Sequence, residues 1–145
     1  GYESELVIEE AIFPVCSPDY LKANKPLSIA DLARHRLLHV ERRGLTWVDW
    51  PVWLREMDVG VPGRLRGPIF NNYVIMIEAA IDGQGIGLGW HGLLDDFLAS
   101  GQLVKPVQGE LRTGRGYYLV RRQSARRNEI VDSFCQWIVE SAKPT

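Results

Sequence analysis

The stretch Phe70-Asn71-Asn72-Tyr73-Val74-Ile75-Met76-Ile77-Glu78-Ala79-Ala80-Ile81-Asp82-Gly83-Gln84-Gly85-Ile86-Gly87-Leu88-Gly89-Trp90 decides how this chain folds. A polar turn with two asparagines opens it. The run that follows is apolar on nearly every side, which predicts a helix over 72–82 buried on both faces. Glycines then fall at 83, 85, 87 and 89, every second position, leading into or through a strand over 86–90. An α/β sheet uses such glycines to bring backbone close to a small molecule or to a packed helix. The stretch argues for binding, and no pattern elsewhere argues for chemistry.

Upstream, Leu6 to Val15 reads as a strand, with Pro14 marking an edge or a crossing segment rather than a central position. Ser17-Pro18 is a helix start, a capping hydroxyl followed by a residue suited to the first turn. Ser28-Ile29-Ala30-Asp31 starts a second helix, ending near Arg34 or His35, with a carboxylate where the dipole favours it. Leu37 to Val40 is a short strand and Arg42-Arg43-Gly44 a turn. Trp47 to Met57 reads as a helix that puts Trp47, Trp50, Trp53 and Leu54 near one face.

Gly60 to Gly67 is a loop, and Pro68 to Asn71 the end of a strand. Downstream, Leu93 to Ser100 reads as an amphipathic helix stopped by Gly101. Leu103 to Val107 and Gly116 to Val120 read as strands, and Ala125 to Ser141 as the last helix. This alternation predicts an α/β fold with a largely parallel sheet.

The bulk properties fit one ordinary domain: 145 residues, 46% apolar, 24% charged. A net charge of -1 gives no global attraction to nucleic acid or to an anionic membrane. No apolar run reaches the roughly 20 residues of a membrane span, and no basic-then-apolar leader opens the chain, so a cytoplasmic location is expected. Cys16 and Cys135 fit no metal or redox spacing and read as reduced, buried thiols. A strand beginning at Leu6 with no earlier partner suggests a chain that starts partway through a domain.

The order of these pieces resembles the effector-binding domain of LysR-type transcriptional regulators, over nearly the whole chain. The matching motifs are Phe13-Pro14-Val15-Cys16-Ser17-Pro18, Ala30-Asp31-Leu32, Leu37-Leu38-His39, Asn72-Tyr73, Ala79-Ala80, Gly83 to Gly89, Gly101-Gln102-Leu103-Val104, Tyr117-Tyr118-Leu119-Val120 and the C-terminal helix. The tryptophan-rich helix and the Gly89-Trp90 ending resemble the glycine-cleavage-activator branch.

The resemblance implies a periplasmic-binding-protein type II-like, Rossmann-like α/β architecture. Residues 18–106 would form a complete second subdomain. Residues 1–17 would be a crossing strand and the end of a partial first subdomain, and 107–145 the return crossing strand and C-terminal helix of that first subdomain. It also implies a homo-oligomeric, non-enzymatic sensor without cofactor or membrane contact. That sensor would bind a small effector, a carboxylate or a quaternary ammonium metabolite, and reach DNA only through a helix-turn-helix domain outside this chain. Carried over residue by residue, the ligand-binding positions would be Cys16 and Ser17 on the first crossing strand, Trp47, and Phe70, Asn71 and Asn72 at the helix opening.

Each signal has a plainer reading. Asn71 and Asn72 can donate amides to a ligand or cap a helix. Trp47, Trp50, Trp53, Tyr73 and Trp90 can wall a cationic ligand or pack the core, and Trp47, at the start of its helix, is the best placed. Cys16 is a hinge-side redox sensor or a small buried hydrophobe. Gly87 to Gly92 matches GxGxxG after a strand and before a helix, with Glu110 near dinucleotide spacing. A small α/β nucleotide-binding domain or enzyme built on it is therefore the alternative function, and a free-standing solute-binding protein a third. His91 and Asp95 share a helix face but make no zinc site alone. Arg112, Arg115, Arg121, Arg122, Arg126 and Arg127 read as a solvated face, with one of them available to an anion or a partner subunit.

Overall fold

A computed structural model of the chain describes residues 1–24, 27–41, 47–61, 63–123 and 128–142. They divide into two compact units, one of residues 12–111 and the other of residues 1–11 and 112–145. β1 (Tyr2–Val15) contributes to both.

In the larger unit, the Ile12–Val15 end of β1 pairs antiparallel with β4 (Gly87–Trp90), Phe13 opposite Gly89 and Val15 opposite Gly87. The Ile12 carbonyl accepts from the Trp53 indole, and Cys16 exchanges two backbone bonds with Val104. Even-numbered backbone groups here thus turn away from β4. Pro14, which lacks an N–H, falls in that even set and costs the β1–β4 ladder no bond.

β2 (His39–Val40) and β3 (Ile69–Phe70) pair in parallel. Leu37 forms a parallel bridge to Ile86. The fold is α/β, but the expectation of a largely parallel sheet is corrected, because the crossing strand β1 meets β4 head to tail.

Local chemistry fixes the helix starts. Ser17 Oγ accepts from Tyr20 N, with Pro18 first in α1 (Pro18–Ala23). Ser28 and Asp31 form a reciprocal capping box; the turn that follows, Ile29–Arg34, is a 3-10 helix rather than an α-helix. Asp49 caps α2 (Trp50–Glu56), so Trp47 lies ahead of the helix and not at its start. Asn72 caps α3 (Tyr73–Ile81).

α4 (Asp95–Ala99) is shorter than expected and ends at Gly101, whose φ of 75° suits glycine. The strand expected over Leu103–Val107 reduces to the Val104 bridge; Pro106 removes a donor there. The turn at Arg42-Arg43-Gly44 and the helix start at Ala125 lie outside the described residues.

Two apolar clusters form the core of this unit. One gathers Ile12, Cys16, Leu32, Leu37, Trp50, Trp53, Leu54, Ile86 and Trp90; the other gathers Phe13, Val15, Leu38, Met76, Ala80, Leu94 and Leu103. Both buried indoles of α2 donate to backbone carbonyls, Trp50 to Leu38 just ahead of β2 (3.1 Å) and Trp53 to Ile12 in β1 (2.9 Å). α3 is not buried on both faces: Met76, Ile77, Ala79 and Ala80 are inside, while Val74 and Ile75 are 64% and 55% exposed.

In the smaller unit, β5 (Leu111–Arg122) lies beside β1, and α5 (Glu129–Ser141) follows, capped by Asn128. Arg112 meets Glu9, Arg115 meets Glu10, and Arg121 bridges Glu3 and Asp132. These arginines are thus engaged by carboxylates on the surface, as a solvated face would have them; Arg126 and Arg127 lie outside the described residues.

Candidate functional site

The parallel pair β2–β3 organises the site. Leu37 N donates to Arg66 O, His39 N to Pro68 O and Glu41 N to Phe70 O, so the two segments run in register from residue 37 to 41. At their carboxyl ends, Val40, Glu41, Trp47, Asn71, Asn72 and Tyr73 line a cleft of about 270 Å³. Ligands in open α/β folds bind where parallel strands end and helices begin, and α3 begins here. Three of the expected site residues, Trp47, Asn71 and Asn72, thus come together. Phe70 is the last residue of β3 and packs half-buried against the second core cluster.

Cys16 and Ser17 are not among the residues lining this cleft. Cys16 is fully buried, and burial pushes its thiol up to about 11. A redox sensor needs an exposed, low-pKa thiol, so the small-hydrophobe reading describes this side chain. The buried Ser17 hydroxyl spends its oxygen on the α1 cap.

Asn72 reconciles its two readings. Its Oδ1 accepts from Val74 N at 2.8 Å and from Ile75 N at 3.4 Å. The Nδ2 group takes no part in the cap and is the donor a ligand oxygen would meet.

The aromatic wall is also specific. Trp47, Tyr73 and Trp90 pack on one another, with ring centroids 4.6 Å apart for Trp47–Trp90, 5.4 Å for Tyr73–Trp90 and 6.1 Å for Trp47–Tyr73. Trp90 is buried and Trp47 and Tyr73 half-buried, so the trio backs the cleft with apolar surface. Trp50 and Trp53 belong to the core. His39, beside this wall, has its imidazole pulled down chiefly by burial, against the opposing pull of Asp49; it presents a neutral ring at pH 7.

Sequence reasoning missed Val40 and Glu41. The usable signal was their place at the carboxyl end of a strand expected over 37–40.

The GxGxxG stretch has a packing explanation. Gly87 and Gly89 lie within β4, not after it. A Cβ on Gly87 would meet Met76 Sδ at 2.5 Å, and one on Gly89 would meet Leu94 Cδ1 at 2.6 Å. Side chains of this protein thus occupy the space a pyrophosphate would need. Glu110 pairs with Lys105 at 3.4 Å. His91 Nδ1 sits 3.4 Å from Asp95, and among the described residues no cluster of metal-ligating side chains forms. No helix among them is long and apolar enough to cross a membrane.

Comparison with known proteins agrees with this geometry. The family model described as "LysR substrate binding domain" matches residues 1–143. The chain is 34% identical over 143 residues to the glycine cleavage system transcriptional activator of Escherichia coli K12, covering 98% of this chain and 46% of that protein. It is 31% identical over 144 residues to the HTH-type transcriptional activator AmpR of Enterobacter cloacae, covering 99% of this chain and 47% of that one. Among solved structures, the effector domain of the transcriptional regulator AmpR of Pseudomonas aeruginosa superposes with a TM-score of 0.71 at 29% identity, over 98% of this chain and 66% of that one. The chain therefore spans about half the length of the curated relatives it matches. Motif order, fold and the cleft at the strand ends converge on one conclusion: this chain belongs to the LysR substrate-binding-domain family.

Proposed function

We propose that the chain is the effector-sensing part of a LysR-type transcriptional regulator, and that the cleft formed by Val40, Glu41, Trp47, Asn71, Asn72 and Tyr73 is one wall of its effector site. The observation that carries this reading is the convergence of Trp47, Asn71 and Asn72 at the carboxyl ends of a parallel strand pair and the start of α3. The effector is a small metabolite with a carboxylate or a quaternary ammonium group. Asparagine amides suit the first and the Glu41 carboxylate beside an indole suits the second. The proposed site extends to Cys16 and Ser17, which follow the crossing strand outside the lining of this cleft, and to Phe70, which directly precedes the asparagines at the end of β3.

In this reading the protein is a homo-oligomeric cytoplasmic sensor rather than an enzyme. Ligand binding shifts the population between two arrangements of the oligomer. DNA is reached through a helix-turn-helix domain elsewhere in the regulator. Residues 18–106 act as one effector-binding subdomain, with 1–17 and 107–145 belonging to the other; the compact unit of residues 12–111 contains all of 18–106 but also holds the crossing residues 12–17 and 107–111.

The test uses the intact regulator on its promoter. A small metabolite should change the footprint of the wild-type protein and leave that of Trp47→Ala unchanged. A promoter footprint indifferent to every metabolite tried, with NAD or ATP stabilising the chain instead, would overturn the reading in favour of the nucleotide site.

A further inference from the structure

At the other end of the β2–β3 pair lies a second concavity that the effector reading does not use. Arg34, His35, Arg36, Arg66, Gly67 and Pro68 line a cleft of about 440 Å³. It shares no lining residue with the first. Three arginines and a histidine are thus among its lining residues. Among the described residues, the carboxylate that pairs with one of these arginines is Asp31, 3.7 Å from Arg34 on the open surface. Like charges gathered without an internal counter-charge raise the local potential and invite an anion.

The cluster is held by ordered backbone. Leu37 N donates to Arg66 O at 2.8 Å, and Ile86 N donates to Arg36 O at 2.9 Å. Arg36 and Arg66 therefore stand on neighbouring segments of the ladder. Gly67 makes this closeness possible: a Cβ on it would overlap the Leu37 carbonyl oxygen. His35 is braced edge-on by Tyr20, with centroids 6.3 Å apart. The backbone that carries Arg36 and Arg66 is therefore fixed by the ladder, while their side chains extend into solvent.

We propose that this basic cleft is a second ligand site, taking the phosphoryl group of a small anionic metabolite. A monocarboxylate fills one guanidinium fork. A phosphoryl dianion presents three oxygens and enough charge to engage Arg34, Arg36 and Arg66 together. The proposal does not depend on the effector cleft.

Inorganic phosphate is the probe. It is titrated into the chain at constant ionic strength, with chloride as the balancing anion, while backbone amide signals are followed. The expected result is a saturable shift confined to Arg34–Arg36 and Arg66–Gly67. Arg36→Ala combined with Arg66→Ala should weaken it at least about tenfold, because charge-assisted bonds dominate such sites. Both arginines are exposed, so the variant's amide spectrum without phosphate should remain that of a folded protein. Shifts linear in phosphate, saturation that survives the double substitution, saturation by citrate but not phosphate, or binding of duplex DNA without saturable phosphate binding would each overturn the proposal.

Discussion

Replacing Gly89 by alanine separates a packed strand from a ligand-accommodating one. The new methyl would stand 2.6 Å from Leu94 Cδ1, 3.1 Å from Val15 Cγ1 and 3.3 Å from Phe13 Cε2, all three buried residues of one cluster. Alanine is favoured over glycine in a strand by about 0.5–1 kcal/mol through the unfolded chain. Forcing an extra carbon into a filled core costs about 1–3 kcal/mol. The net expectation is a loss of about 0.5–2 kcal/mol.

Urea unfolding followed by the fluorescence of the five tryptophans reads this directly. With a slope of about 2 kcal/mol/M, the midpoint should fall by about 0.3–1 M at unchanged slope. The same substitution in a Leu94→Ala background should be neutral or stabilising, because the colliding methyl is gone. That difference is a coupling of about 1 kcal/mol or more. An unchanged or higher midpoint for Gly89→Ala alone, or additive effects of the two changes, would refute the packing argument.

Three further outcomes follow from the same geometry. Trp53→Phe strands the buried Ile12 carbonyl and should cost about 1–3 kcal/mol in the same urea assay; an unchanged midpoint would contradict the indole's role in fixing α2 to β1. Because burial raises the Cys16 thiol from 9.0 to about 11, the native state holds its proton longer than the unfolded chain does. Its contribution should be full below pH 9 and be lost as pH rises toward 11, and Cys16→Ala should lack that decline across a pH series of melts. Asp31, held below its usual range chiefly by the Ser28 hydroxyl, should stabilise the 3-10 turn at neutral pH and stop doing so as acid protonates it; Asp31→Asn should flatten that part of the pH profile.

What the sequence made legible was local. Ser17-Pro18, Ser28 with Asp31, and Asn72 each announce a helix start within one turn, because a cap is satisfied by neighbours in the chain. The same logic, applied to Asp49 ahead of Pro51, would have moved Trp47 out of its helix. Non-local facts were harder to read. Nothing in Tyr73–Ile81 says that Val74 and Ile75 face outward, since exposure depends on what covers a face. The antiparallel meeting of β1 with β4 and the reduction of Leu103–Val107 to one bridge depend on where the crossing segment lands. The cleft was half legible: asparagines at a helix opening and a nearby tryptophan were visible, whereas Val40 and Glu41 needed the strand pairing.

The most direct test of the central claim maps where a ligand sits. Metabolites bearing a carboxylate or a quaternary ammonium group are screened against the intact regulator for thermal stabilisation, and each hit is repeated on Trp47→Ala and Asn72→Asp. Aspartate keeps the α3 cap and removes the amide donor, so folding and binding are read separately. The account predicts hits whose stabilisation falls at least about tenfold in apparent affinity in both variants, while the unliganded Asn72→Asp protein melts as the wild type does. Hits that bind both variants as tightly as the wild type would place the effector elsewhere and contradict it.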